Sequence, residues 1–531
     1  MPTLFHHTLS KTARRSPDAA ALIYKSEQKN YLQLSYQMEQ TARGFLKLGV
    51  KIDTRVAVYL PKQIETVVSF FATSLSGGIF VPVNPLLKAA QVNYILRDCT
   101  AQVLITSASR YHQLKAELDS LPRSPTIVLT DCAIDKTPPG CINWLSFSDA
   151  GNQPSAEENS GANLNFPVRI SKDIAAILYT SGSTGQPKGV VLSHNNLVVG
   201  AKSVAQYLEN CSEDRLLAVL PFSFDYGLSQ LTTAFVSGAS VVLMEYLLPR
   251  DVVRAVAKYQ ITGLAAVPPL WVQLANLEWP QEAVNSLRYF TNSGGAMPQS
   301  TLNNLRQRLP NSLPFLMYGL TEAFRSTYLH PDEVENRPTS IGRAIPDAEI
   351  LVVDEQGRLC ESGVEGELVH RGPHVALGYW NAPEKTAERF KPLSANLASG
   401  ITDEIAVWSG DTVVRDEQGF LYFIGRKDDM IKSSGYRISP SEIEDLVYQY
   451  PLVSEVAAIG VPHSTLGEAV VLVITPTDSD FDEKSLVKYC QQQLPNFMQP
   501  KALKLRATLP RNANGKIDRK LLASEYKDLF E

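Results

Sequence analysis

Between residues 53 and 106 the apolar positions alternate between two periods. "RVAVYLP" (55–61) is a near-continuous apolar run of strand length, and "QIETVVSFFATSL" (63–75) repeats at helical spacing. "IFVPVNP" (79–85) is again strand-like, "AAQVNYILRDC" (89–99) is helical, and "AQVLIT" (101–106) is a strand. Such alternation predicts a mostly parallel sheet covered by helices. Residues 148–170 are polar and rich in Gly, Pro, Ser and Asn, which predicts a surface loop. The pattern resumes at "DIAAILYT" (173–180), and Leu197, Ala201, Val204, Ala205 and Leu208 then keep the spacing of one helix face.

The pattern changes again near "GRKDDMIKSSGYRISPSEIEDLV" (425–447). Ser439-Pro440-Ser441-Glu442 predicts a helix start, with serine as cap, proline in the first turn and glutamate at the capping-box position. Ile443, Leu446, Val447 and Tyr450 give that helix one apolar face. Strand-like "EVAAIGV" and "AVVLVIT", helical "EKSLVKYCQQQL" and extended "ALKLRATL" follow. This is a compact α+β unit of roughly one hundred residues, a plausible separate domain. The expected fold class is therefore α/β, with a large multi-sheet domain over residues 1–427 and a smaller, mobile α+β domain over 428–531. A chain of 531 residues exceeds what one core usually supports, which agrees with that division.

Composition narrows the function classes only slightly. The formal net charge of −5 argues against a nucleic-acid or anionic-membrane binder. The six cysteines (Cys99, Cys132, Cys141, Cys211, Cys360, Cys490) form no CxxC pair, so neither a disulfide framework nor a zinc site is indicated, and they read as scattered buried thiols. His6–His7 reads as a terminal surface pair. The N-terminus lacks an apolar core of signal-peptide length, and the apolar region 67–85 is broken by Ser, Gly-Gly and Pro. The expectation is a cytoplasmic protein with no membrane span.

The candidate chemistry sits in "ILYTSGSTGQPKGVVLSH" (177–194), a strand followed by a Gly/Ser/Thr loop and a lysine. Such a loop aims backbone N–H groups inward and binds phosphate, with hydroxyls and an ammonium as further donors. P-loop spacing fails, because Pro187 precedes Lys188, and no GxSxG elbow is present. A kinase or ATPase, a serine hydrolase and a non-catalytic nucleotide-binding module remain as other classes at this level.

The loop "YTSGSTGQPKG" resembles the signature of the AMP-forming adenylating superfamily: acyl-CoA synthetases, luciferases and nonribosomal peptide adenylation domains. "YGLTEA" (318–323), "GELVHRG" (366–372), "GYW" (378–380), "SGD" (409–411), "GRKDDMIKSSGYRISPSEIE" (425–444) and "PRNANGKIDRK" (510–520) occur in that family's order and spacing. The resemblance implies ATP-dependent formation of an acyl-adenylate with pyrophosphate release, then thiol attack with release of AMP. It implies that Thr180, Ser181, Gly182, Ser183, Thr184, Gly185 and Lys188 enclose the β/γ-phosphates; Lys188 could equally be solvated. Gly294, Gly295 and Ala296 would pass close to the nucleotide, and Tyr318 and Gly319 would lie at the adenine. Thr321 would meet phosphate and Glu322 would hold Mg²⁺, a hard ion that prefers oxygen ligands. On its own, Thr321–Glu322 could instead be a capped helix start. Asp411 would accept the ribose hydroxyls, with Arg426 beside it.

Lys516 matches the family's catalytic lysine, although by itself a lysine in an Asn/Gly turn reads as a solvated surface charge. Arg437 is a further implied catalytic residue. Asp428 matches the hinge about which the small domain turns, and Gly435 would leave room for a pantetheine arm. Asp225, Tyr226 and Arg325 are expected at the acid. A buried Asp225 needs a cation, either the α-ammonium of an amino acid or Arg325 itself. If Asp225 and Arg325 pair with each other, the amino-acid reading weakens. The pattern resembles free-standing ligases that load an amino acid such as L-proline onto a carrier protein, and also exosortase-associated acyl-CoA ligases. The expected partners are thus a small carboxylic acid and either a separate phosphopantetheinylated carrier protein or coenzyme A, since no carrier domain follows residue 531.

Overall fold

The computed structural model describes residues 2–149, 165–180, 187–393, 404–426, 431–433, 436–463, 466–478, 480–494, 496, 498–512 and 515–530. Three sheets organise them. In the first, of eight strands, Arg55–Tyr59 runs parallel to Ile79–Pro82 on one side and to Val103–Thr106 on the other. Thr126–Leu129 and Cys141–Asn143 extend one edge in parallel. At the other edge Ile174–Thr180 joins and doubles back as the antiparallel strand Lys188–Ser193, to which Gly378–Tyr379 is added.

The second sheet has fourteen strands. Its parallel centre is Ser240–Leu243, Arg215–Ala218, Gly263–Ala266, Tyr289–Asn292 and Leu313–Tyr318. It continues antiparallel through Thr327–Leu329 and Ser340–Ala344 into Leu421–Arg426, Ile405–Arg415, Glu365–Arg371 and Glu349–Val353. The expected helix at 63–75 is Ile64–Leu75, and its buried residues lie on every face. A helix apolar all round belongs in an interior. Phe70 and Phe71 stack with Phe80 and Phe5 respectively, and one apolar cluster runs through both sheets.

The third sheet has five strands, built on the long antiparallel pair Val453–His463 and Gly467–Pro476 with Ala502–Leu505 parallel at its edge. It carries apolar clusters of its own, among them Ile431, Ile443, Val447, Leu472 and Leu486. The expected boundary at 427/428 falls on 427–430, outside the described residues.

Three expectations are corrected. The helix Pro440–Val447 begins after Ser439, but the serine side chain makes no capping bond. What anchors the helix is Glu444, buried, which accepts from Ala458 N at 2.8 Å and from Arg519 Nε at 2.9 Å. His6 is not on the surface: it is buried, with Nδ1 2.9 Å from Ser74 Oγ. Of the thiols, only Cys99, Cys360 and Cys490 are buried, and Cys211 is exposed. Among the described residues no helix is long and apolar enough to cross a membrane.

Four buried imidazoles are held neutral. Burial is the first cause in each: His6 lies well below the ordinary histidine value, His194 and His374 are pushed down to about 4, and His370 to about 3. The unfolded chain takes up protons near pH 6.5 that the folded chain refuses. Stability is therefore fully present above that pH and is lost as pH falls toward 4. Each such histidine contributes up to about 1.4 kcal/mol per pH unit in that window. Urea unfolding at pH 7.5, 6.5, 5.5 and 5.0 should give a falling free energy below 6.5; equal values across the series would contradict the assignment.

Candidate active site

The register of the first sheet's hairpin places Thr180 opposite Lys188, so the two side chains flank the loop between them. Both line a cleft with a cavity volume of about 460 Å³, within the range of small-molecule sites. Ser181, Gly182, Ser183, Thr184 and Gly185 lie outside the described residues. Lys188 does more than extend into solvent: its Nζ stands 5.3 Å from the centre of the Tyr379 ring. Its affinity for a proton is lowered, by burial first and then by Lys385 and Arg389, with Glu322 opposing.

Tyr379, placed by its two-residue strand against Val190, donates to Glu322 Oε1 at 2.7 Å. Glu322 is the carboxylate of the cleft lining that Tyr379 holds beside Lys188, and among the described residues no group of three or more His, Cys, Asp or Glu forms a metal cage. One carboxylate suits Mg²⁺, which keeps waters and takes its remaining ligands from phosphates. Residues 321–324 form a turn rather than the start of a helix.

On the opposite run of the second sheet, Asp411 is buried at the cleft wall, in register with Arg426. Tyr318 donates to its Oδ2 at 2.5 Å. Tyr318, the residue expected against the adenine, stands beside Phe423, 6.1 Å away between ring centres, and Phe423 is one of the aromatic residues that line the cleft. Gly319 follows immediately and abuts Arg325, whose Cα would lie 3.1 Å from any added Cβ.

Gly294, Gly295 and Ala296 line the same cleft, just beyond the strand Tyr289–Asn292. At Gly294, where φ is +82°, an added Cβ would stand 3.7 Å from both Lys516 Cε and Phe224 Cζ. Lys516 is therefore turned in, over the glycine, rather than out on the surface. Its turn is tied by Asn512 N to Lys516 O at 2.8 Å, Lys516 N to Asn512 Oδ1 at 3.1 Å and Arg511 Nη1 to Gly515 O at 2.8 Å.

Phe224 leads into the helix Asp225–Ser237. Asp225 is 4% exposed and Arg325 2%. Arg325 Nη1 donates to Asp225 Oδ2 at 3.2 Å, and Thr321 Oγ1 lies 3.4 Å from Oδ1. Thr321 was expected at a phosphate; it is buried and turned to Asp225 instead. The guanidinium lies 4.6 Å from the centre of the buried Tyr226 ring, whose hydroxyl meets Thr291 Oγ1 at 2.5 Å. Among the described residues, Arg325 Nε and Nη2 are buried without a hydrogen-bond partner. Phe324 and Arg325 run at φ 42° and 107°, a costly conformation for side-chain-bearing residues that tends to persist at functional sites. His370 Nδ1, 2.9 Å from the Oγ of buried Ser326, braces the next residue.

Arg437 pairs in register with Lys432, and Arg426 ends its strand, but their side chains lie outside the described set, as do Asp428 and Gly435 altogether. The motifs "GYW" and "GELVHRG" contained Tyr379 and His370, and the "SFD" before Tyr226 contained Phe224, without giving them roles, and no sequence signal singled out Phe423 or Arg389.

The family model described as AMP-binding enzyme matches residues 9–380, and that described as AMP-binding enzyme C-terminal domain matches 442–516. The chain belongs to the AMP-binding enzyme family. It is 31% identical over 522 residues to a long-chain-fatty-acid–CoA ligase of Escherichia coli O157:H7, covering 92% of this chain and 90% of that protein. It is also 31% identical over 531 residues to one of the linear gramicidin synthase proteins of Brevibacillus parabrevis, covering 98% of this chain but only 6% of that synthase. Against ATP-bound MatB from Rhodopseudomonas palustris the TM-score is 0.86 at 25% identity, with both chains fully covered. Against apo MatB, at the same identity and coverage, it is 0.76. The enzyme class is that of AMP-forming acid–thiol ligases.

For an enzyme of this family, an inward ammonium over Gly294 should matter to the adenylating half alone. Lys516→Ala should lower ATP–pyrophosphate exchange by about 10²–10³, as for loss of a charged donor at a developing anion. Thioester formation from supplied acyl-adenylate should survive much better. Equal losses in both halves would contradict this.

Proposed function

We propose that this enzyme activates a carboxylic acid lacking an α-ammonium group and passes the acyl group to coenzyme A. The observation that carries the reading is the buried Asp225–Arg325 pair. Asp225 was the residue that called for a substrate ammonium, and it has a cation of its own. Inserting a second cation would strip Arg325 of its partner in a buried site, typically at about 3–5 kcal/mol. The pair instead leaves donors to spare: among the described residues Arg325 Nε and Nη2 are buried and find no acceptor, at about 1–3 kcal/mol each unless one arrives. Neither Asp225 nor Arg325 is among the residues that line the cleft; the pair shapes the site from behind its wall, and a distal hydroxyl, carbonyl or second carboxylate on the acid is what its spare donors would meet.

In the first half-reaction a carboxylate oxygen attacks the α-phosphorus, and the bond to the β-phosphate breaks with pyrophosphate leaving. Lys516 is the donor to that anionic centre. Thr180 and Lys188 hold the outgoing phosphates, and Asp411 accepts from the ribose. Glu322 would hold Mg²⁺, which would supply positive charge to the polyphosphate; Tyr379 keeps that carboxylate oriented. In the second half the thiol attacks the acyl carbon, its proton is lost, and AMP leaves. We assign that half to the unit beyond residue 427 after it turns about Asp428, with Gly435 giving passage to the pantetheine arm and Arg437 contributing charge.

A second reading, transfer of an amino acid such as proline to a separate carrier protein, draws on the likeness to the gramicidin synthase. A pyrophosphate-exchange panel separates the two. It compares matched acids that differ only in an α-amino group or in one distal oxygen, each followed by loading tests with coenzyme A and a phosphopantetheinylated carrier. Acids without the amino group should give the higher kcat/KM. Asp225→Ala should lower exchange for every acid and lower the melting temperature, because it strands Arg325. A loss confined to amino acids, with stability unchanged, would favour the second reading.

A further inference from the structure

Arg389 ends the helix Pro383–Arg389, on a segment that carries no motif residue of its own. The helix is bound to the phosphate side of the cleft: Thr386 Oγ1 accepts from Tyr379 N at 2.9 Å and donates to Ala382 O at 2.8 Å. Tyr379 is the residue that meets both Glu322 and Lys188. The next residue, Phe390, is buried and pairs in register with Val407. Arg389 is thus fixed between the phosphate mouth and the strand that carries Asp411.

Its guanidinium lies against Gly410. Nη1 donates to Trp408 O at 3.2 Å, and a Cβ on Gly410, where φ is +71°, would fall 2.1 Å from Nη1. The glycine of "SGD" is what lets the arginine reach the cleft, whose wall it shares with Thr180, Lys188, Glu322 and Asp411. Among the described residues no carboxylate pairs with it. Arg389 and Lys385 thus place further positive charge beside Lys188, whose proton affinity is lowered first by burial and then by these two neighbours.

We propose that Arg389 is a second cationic contact, with Lys188, for the β- and γ-phosphoryl groups of ATP and for the departing pyrophosphate. A planar guanidinium suits phosphate oxygens, which it can meet with two parallel N–H bonds. AMP has no β- or γ-phosphate, so Arg389 separates the polyphosphate ligands from the nucleotide product. The assignment does not depend on which acid is activated.

The test is calorimetric binding of ATP, pyrophosphate and AMP to the full chain and to Arg389→Gln and Arg389→Lys. Arg389→Gln should weaken ATP and pyrophosphate about tenfold, the effect of one charge-assisted bond, and should leave AMP within about twofold. Arg389→Lys, which keeps the charge but not the two parallel N–H bonds, should recover only part of the loss. If ATP and AMP weaken equally, Arg389 acts only by supporting the Asp411 strand, and the proposal is wrong. Unchanged ATP binding overturns it as well. If the glutamine variant does not fold, the lysine variant decides. Its melting temperature should match the parent, and it should bind pyrophosphate about threefold more weakly with AMP unchanged; parent-level pyrophosphate binding, or an equal weakening of AMP, overturns the proposal.

Discussion

The buried ion pair between Asp225 and Arg325 is the constraint on which the acid side of this enzyme depends. It joins the N-terminus of one buried helix to the corner between two strands one hundred positions later in the chain. The carboxylate also gains from its place at the start of that helix. The arginine reaches it only because Phe324 and Arg325 accept positive φ, at a cost of about 1–3 kcal/mol each. Packing around the corner absorbs that cost: Gly319 lies against Arg325 Cα, Tyr226 under the guanidinium, and His370 beside Ser326. Because residues 318–323 belong to the same corner, the pair also fixes where Glu322 and Tyr318 stand.

The nucleotide side follows a different logic. There the side chains that face the cleft are oriented by hydrogen bonds from neighbouring side chains. Tyr379 holds Glu322, Tyr318 holds Asp411, and Asn512 holds the turn that presents Lys516. Each holder comes from a different strand or turn, so the site forms only when the two large sheets and the C-terminal turn are in place together.

Periodicity made the strands and helices of residues 55–106 legible, because parallel strands buried on both faces read as apolar runs. The ordered motifs made the nucleotide site legible for the same kind of reason: each is local, and its glycines and hydroxyls have few other uses. What stayed hidden is non-local. Nothing in sequence decides whether Asp225 meets a substrate ammonium or Arg325, since their juxtaposition is a product of the sheet. Arg389 reads as one more charge in "EKTAERF" until Gly410 is seen to leave room for it. Ser439 had every local sign of a cap, yet Glu444 anchors its helix through tertiary bonds. His6 was read as a surface residue because sequence does not reveal that the N-terminal segment packs against Ser74.

The most direct measurement of the central claim is a double-mutant cycle on Asp225→Asn, Arg325→Gln and the double variant, followed by urea unfolding and by ATP–pyrophosphate exchange with the best acid. If the two side chains act as one buried unit, the double variant should be no worse than the poorer single, a coupling of about 2 kcal/mol or more in stability. Losses that simply add, within about 0.5 kcal/mol, would show that Asp225 and Arg325 act independently and would contradict the account.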